Sequence, residues 1–148
     1  MENKYELTDK FIINAYGVKL YQIKCTRKLK YADVGDLGGY IEKESNLSQV
    51  DDAWVYGNAW VYGNARVYGN AEIDSNDKHC GFDCFGSANR HTHAYLTKNG
   101  NVEITCGCFR GSIEEFEKKV EETHSGTIYE TQYKAIVNLI KIKFGIEQ

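Results

Sequence analysis

The spacing of apolar positions changes three times along the chain. Near the start, FIINA (11–15) and VKLYQIKC (18–25) are β-prone runs separated by Tyr16 and Gly17, which predicts a hairpin. From Ile41 the pattern becomes a repeat of six: IEKESN, LSQVDD, AWVYGN, AWVYGN, ARVYGN, AEIDSN, every block closed by Asn or Asp. Val55, Val61, Val67 and Ile73 hold one aliphatic place in each block, and Ala59, Ala65 and Ala71 hold a small one. Each block reads as a short strand plus a turn. Gly57, Gly63 and Gly69, each followed by Asn, supply residues that tolerate positive φ. Three blocks would close a triangular coil, so residues 41–76 predict a short left-handed parallel β-helix of about two coils. Lys43 and Gln49 occupy the aliphatic place in the first two blocks, which predicts an irregular first coil.

After Asn76 the segment DKHCGFDCFGSANR has no period and is rich in turn formers, so 77–90 reads as a linker loop. HTHAYLTK and NVEITCGCF then alternate around Asn99 and Gly100, a strong hairpin signal. Ser112 with Glu115 makes a capping box, and Ile113, Phe116 and Val120 follow at helical spacing until Gly126. A second helix from about Tyr129 carries Tyr133, Ile136, Val137, Ile140 and Phe144 on one stripe. The expected fold is therefore mainly β with an α+β C-terminal part. It comprises an N-terminal hairpin cap (1–40), the β-helix (41–76), the linker (77–90) and a ββαα module (91–148).

In the repeats, a side chain next to an inward aliphatic points outward. That rule places Tyr56, Tyr62 and Tyr68 outside, together with Trp54, Trp60 and Arg66, as an aromatic and arginine girdle suited to a subunit interface or to stacking a flat ligand. The eleven tyrosines and two tryptophans exceed what a small core absorbs, which points to the same two uses. In the hairpin, a two-residue turn would set His93 opposite Cys106 and His91 opposite Cys108 on one sheet face. Zinc, an imidazole-activated thiolate and a plain core or pocket wall are all open to such a cluster, and a slip of one residue would disperse it. His79, Cys80 and Cys84 lie just past the repeats and read as a loop with chance cysteines.

A net charge of −3 with no basic tail excludes bulk electrostatic binding of nucleic acid, while leaving ligand contacts through a few arginines such as Arg90 and Arg110. No apolar run approaches membrane-spanning length, and five cysteines without a secretory signal read as thiols rather than disulfides. The protein is expected in the cytoplasm.

The blocks AWVYGNAWVYGNARVYGNAEI resemble the bacterial transferase hexapeptide superfamily, and more closely the short YGNA-repeat proteins encoded in phage and prophage genomes. The second resemblance extends loosely into GGYIEKESNLS before the repeats and CGCFRGSIEEFEKKVEETH after them. The superfamily resemblance implies a homo-oligomer, with a trimer favoured, and acyl transfer from acyl-CoA using a histidine base. This chain departs from that pattern: it has few coils, no histidine within the repeats and no protruding loop. The phage-type resemblance implies a non-enzymatic counter-defence protein that sequesters a nucleotide-type signal. An inhibitor or assembly module acting on a host protein and a small acyltransferase are the alternatives. Expected ligand-binding residues are Tyr56, Trp60, Tyr62, Arg66, Tyr68, Arg90, His91, His93 and Arg110, with no catalytic residue, metal or cofactor assigned.

Overall fold

The computed structural model describes residues 2–146, and the chain divides between Asn76 and Asp77 into two compact units. In the first, β1 (Tyr5–Ile13) and β2 (Lys19–Cys25) form an antiparallel hairpin, with Tyr5 opposite Cys25 and Phe11 opposite Tyr21. Asn14 shapes its turn, because its side-chain oxygen accepts from the amides of Tyr16 and Val18. Four short strands follow: β3 (Leu37–Ile41), β4 (Trp54–Val55), β5 (Trp60–Val61) and β6 (Glu72–Ile73). β3 joins β2 antiparallel and β5 in parallel, and β4 pairs in parallel with β6. Gly38 and Gly39 are residues of β3. A Cβ on Gly38 would lie 2.6 Å from the Val55 carbonyl oxygen, and one on Gly39 would lie 2.7 Å from that of Ala59. Only glycine permits this approach of backbones.

The left-handed parallel β-helix expected over 41–76 is not what these residues form. The sheets of the protein are short and mostly antiparallel, and parallel pairing in the repeats is limited to two-residue strands and a single bridge, Leu47 to Val67. The register explains why. Trp54 pairs with Glu72, 18 residues on, but Tyr40 pairs with Trp60 and Leu47 with Val67, each 20 residues on. A uniform coil needs one constant offset. The irregularity falls at Lys43 and Gln49, where a 3₁₀ turn at Glu44–Asn46 replaces extended chain. Side chains supply there what strand pairing does not. The Asn46 amide donates to the carbonyls of Gly63 and Ala65, and the Gln49 side chain exchanges hydrogen bonds with the backbone of Tyr5.

The period of six nonetheless sorts inside from outside: Ile41, Leu47, Val55, Ala59, Val61, Ala65, Val67, Ala71 and Ile73 are all buried. Trp54 departs from the outward rule. It is buried against Tyr5, with ring centroids 6.4 Å apart in an edge-on pair. Beside it Lys4 is fully buried, its ammonium donating to the carbonyls of Asp51 (2.9 Å) and Ala53 (2.6 Å) and to the Asp51 carboxylate (3.2 Å). Burial pulls the Lys4 pKa below the ordinary lysine value, while Asp51 opposes that shift.

In the second unit the segment expected as a linker instead contains a strand. β7 (His79–Phe85), β8 (Arg90–Leu96), β9 (Val102–Cys106) and β10 (Phe109–Ser112) form an antiparallel sheet in the order β10-β9-β8-β7. The module is thus ββββαα. Glycine, aspartate and a positive φ at Cys84 interrupt the alternation of HCGFDCF, which hides the strand in the sequence. α1 (Ile113–His124) opens with the expected capping box, Ser112 accepting from the Glu115 amide and Glu115 accepting from that of Ser112. These bonds hold the Glu115 carboxyl below its usual pKa. α2 (Ile128–Phe144) ends at Gly145, whose left-handed φ of 69° closes the helix. Phe116, Val120, Tyr133, Ile136, Val137 and Ile140 pack with Ala94, Val102, Ile104 and Cys106 into one core. Among the described residues no helix is long and apolar enough to cross a membrane.

Replacing Lys4 by Met keeps the volume but leaves two carbonyls and a carboxylate short of a donor. Stability should fall by about 2 kcal/mol. Urea unfolding measures this, and an unchanged midpoint would show that the buried ammonium is dispensable.

Candidate functional site

The geometry of the second unit turns on the loop between β8 and β9. Thr97 donates to Asn101 at 2.8 Å and Gly100 donates to Thr97 at 3.0 Å, with Gly100 at φ 83°. The loop therefore has three residues, Lys98, Asn99 and Gly100, and not the two that the Asn-Gly signal suggested. Pairing shifts by one: Thr92 faces Cys106, His93 faces Thr105, and Tyr95 faces Glu103. The His–Cys cluster is thereby dispersed, because a shift of one residue moves the histidines and Cys106 to opposite faces.

One face carries a polar chain. His91 Nδ1 lies 2.6 Å from the Asp83 carboxylate, His93 Nε2 lies 2.9 Å from His79 Nδ1, and Glu103 bridges Tyr95 and Arg110. Gly81 makes room for it, since a Cβ there would stand 2.6 Å from the His91 ring. Among the described residues no group of three or more His, Cys, Asp or Glu side chains is arranged to hold a metal ion.

The other face carries Ala94, Ile104 and Cys106 toward the helices, and a cavity of about 580 Å³ opens there. Phe109, Phe116, Val120, Cys106 and Tyr133 form its apolar wall, and Phe116 meets both Phe109 and Tyr133 at centroid distances of 5.3 and 5.4 Å. Arg90, Lys119 and His124 stand around the opening, with the hydroxyls of Ser87 and Thr123, while Arg110 borders it with its guanidinium held by Glu103. None of the described lining residues is acidic. Helix geometry explains part of this arrangement: Phe116, Lys119, Val120 and Thr123 recur at three and four residues on α1, so one edge of its buried stripe ends in a cation and a hydroxyl.

At the cavity floor the Tyr133 hydroxyl lies 3.8 Å from the Cys106 thiol, which also accepts from Thr92 at 3.3 Å. The Tyr133 phenol is pushed up to about 12, chiefly by burial and then by Cys106, against the pull of the nearby Arg90 charge. At neutral pH it is a hydrogen-bond donor and not an anion.

Of the expected ligand-binding residues, Arg90 and Arg110 line this cavity, while His91 and His93 belong to the opposite face. Tyr56, Trp60, Tyr62, Arg66 and Tyr68 lie in the first unit. There Trp60 stacks on Tyr62 with centroids 5.5 Å apart, the Tyr56 hydroxyl donates to Glu72 at 3.3 Å, and only Arg66 of the five is fully exposed. Sequence reasoning missed Lys119, Thr123, His124 and Phe109 as lining. The spacing of Lys119 and Thr123 beside the Phe116–Val120 stripe was the available signal.

The five thiols should separate by environment. Alkylation of the native protein should modify exposed Cys84 and Cys108 first, Cys106 on the cavity wall later, and buried Cys25 only on unfolding. Cys80 should lag the exposed pair, because burial pushes its thiol up to about 11. Peptide mass mapping reads the order, and labelling of Cys25 ahead of Cys84 and Cys108 would contradict the fold of the first unit.

No protein-family model matches the chain, and no curated protein matches it.

Proposed function

We propose that the cavity of the second unit binds a small anionic ligand carrying a flat ring, of the nucleotide class, and retains it without turnover. The supporting observation is the lining itself: Arg90, Lys119 and His124 around an aromatic and aliphatic wall, with no carboxylate among the described lining residues and Arg110 at the border neutralised by Glu103. Its volume of about 580 Å³ falls within the range of about 300–1,000 Å³ common for small-molecule sites. Cations at the opening attract an anion, and half-buried Phe109 on the wall offers a ring to stack on. Retention rather than reaction is favoured by the floor, where Tyr133 keeps its proton and the Cys106 thiol is engaged by Thr92 and Tyr133.

A panel of nucleotides should raise the melting temperature, and the bound species should be recovered unchanged after denaturation. Arg90→Ala should weaken binding about tenfold to a hundredfold, the range for a lost charge-assisted hydrogen bond. Trp60→Ala in the first unit should leave affinity unaltered. Failure of every nucleotide to stabilise the protein, or equal losses from the two variants, would remove the reading.

A further inference from the structure

Two turns border the same end of the cavity, and each places a glycine with positive φ against a lining side chain. Gly107 (φ 59°), in the β9–β10 turn, lies under Arg90: a Cβ there would stand 2.6 Å from Nη1 and 2.9 Å from Cδ. Gly86 (φ 80°), in the β7–β8 turn, lies against Tyr133, whose hydroxyl occupies the space a Cβ would need. The Gly86 amide also donates to the Gln132 side chain at 2.8 Å, which ties this turn to α2. Asn89, in the same turn, also has a positive φ, 51°. These are ordinary hairpin-turn conformations, and what distinguishes the two glycines is the side chain that each leaves room for.

We propose that this end of the cavity is an oxyanion subsite that takes a phosphate group between the Arg90 guanidinium and the Tyr133 hydroxyl, with Gly107 as the residue that sets it. The inference rests on the cavity being a ligand site, and it adds the orientation of the ligand and the residue that determines it. A planar guanidinium presents two parallel donors to one edge of a phosphate. A tetrahedral group keeps another oxygen pointing out of that plane, where a donor from the floor reaches it. Tyr133 supplies this donor as a neutral phenol, and Ser87 brings a further hydroxyl to the wall. The ring of the ligand then faces Phe109 and Phe116. Gly107 acts as a positioning residue: any side chain there would push Arg90 off the turn while leaving its charge in place.

The test is calorimetric titration of the full chain with a nucleoside, its 5′-monophosphate and inorganic phosphate, using wild type, Gly107→Ala, Arg90→Ala and the double variant. The monophosphate should bind at least about tenfold more tightly than the nucleoside, inorganic phosphate should compete with it, and each single variant should lose about that factor. If Gly107 works through Arg90, the double variant should lose no more than Arg90→Ala alone. Should Gly107→Ala not fold, Tyr133→Phe and Arg90→Lys test the same subsite, each expected to reduce the preference for monophosphate over nucleoside while ring binding persists. Equal affinity for nucleoside and monophosphate in the wild type, additive losses in the double variant, or an unchanged preference in Tyr133→Phe and Arg90→Lys would each overturn the subsite and leave the cavity as a ligand site. Absence of binding by all three probes would overturn both.

Discussion

With Gly100 in the left-handed conformation, the loop after β8 takes three residues, and every cross-strand pair of β8 and β9 follows from that count. Side chains alternate across a sheet, so the count assigns Ala94, Ile104 and Cys106 to the helices and His93, Tyr95 and Glu103 to the opposite face. A two-residue loop would put the histidines on the same face as Ile104 and Cys106, so that either the histidines would lie beneath the helices or Ile104 would be turned away from them. The cavity exists because the small and apolar residues face the helices and leave space beside Phe116 and Tyr133.

The repeats of the first unit follow a different rule, because their two-residue strands are too short to satisfy their own backbone. Side chains close the turns instead. Glu42 accepts from the Gly63 amide, Asp51 from that of Gly69, and Asn76 from that of Trp60. Each removes an unpaired donor that would otherwise cost stability when shielded from water. Asp51 has two tasks, since its other oxygen receives the buried Lys4 ammonium. Glu42 and Asp51 are therefore structural partners of glycine amides, and those carboxylates are committed to that task.

In the cavity, the decisive property is contrast between neighbours. Arg90 is an exposed cation, and Tyr133 is a buried, neutral donor within reach of its field. A permanent charge at the opening supplies attraction, and a donor at the floor supplies direction. The proposed ligand, an anion attached to an apolar body, rests on that contrast, since a bare ion would gain nothing from the apolar wall.

Local chemistry written in the chain determined a good deal by itself. The hairpin turn at Tyr16 and Gly17, the Ser112–Glu115 cap, the glycine after α1 at Gly126 and the inward aliphatics of the repeats are legible because each depends on residues close in sequence. Tertiary structure decided the rest. The offsets of 18 and 20 residues that rule out a uniform β-helix, the burial of Trp54 against Tyr5, and the strand formed by HCGFDCF all depend on partners distant in the chain. The cavity belongs to this second group. Arg90, Lys119 and Tyr133 lie on three separate elements, and sequence spacing carries no record of where a sheet and two helices leave room between them.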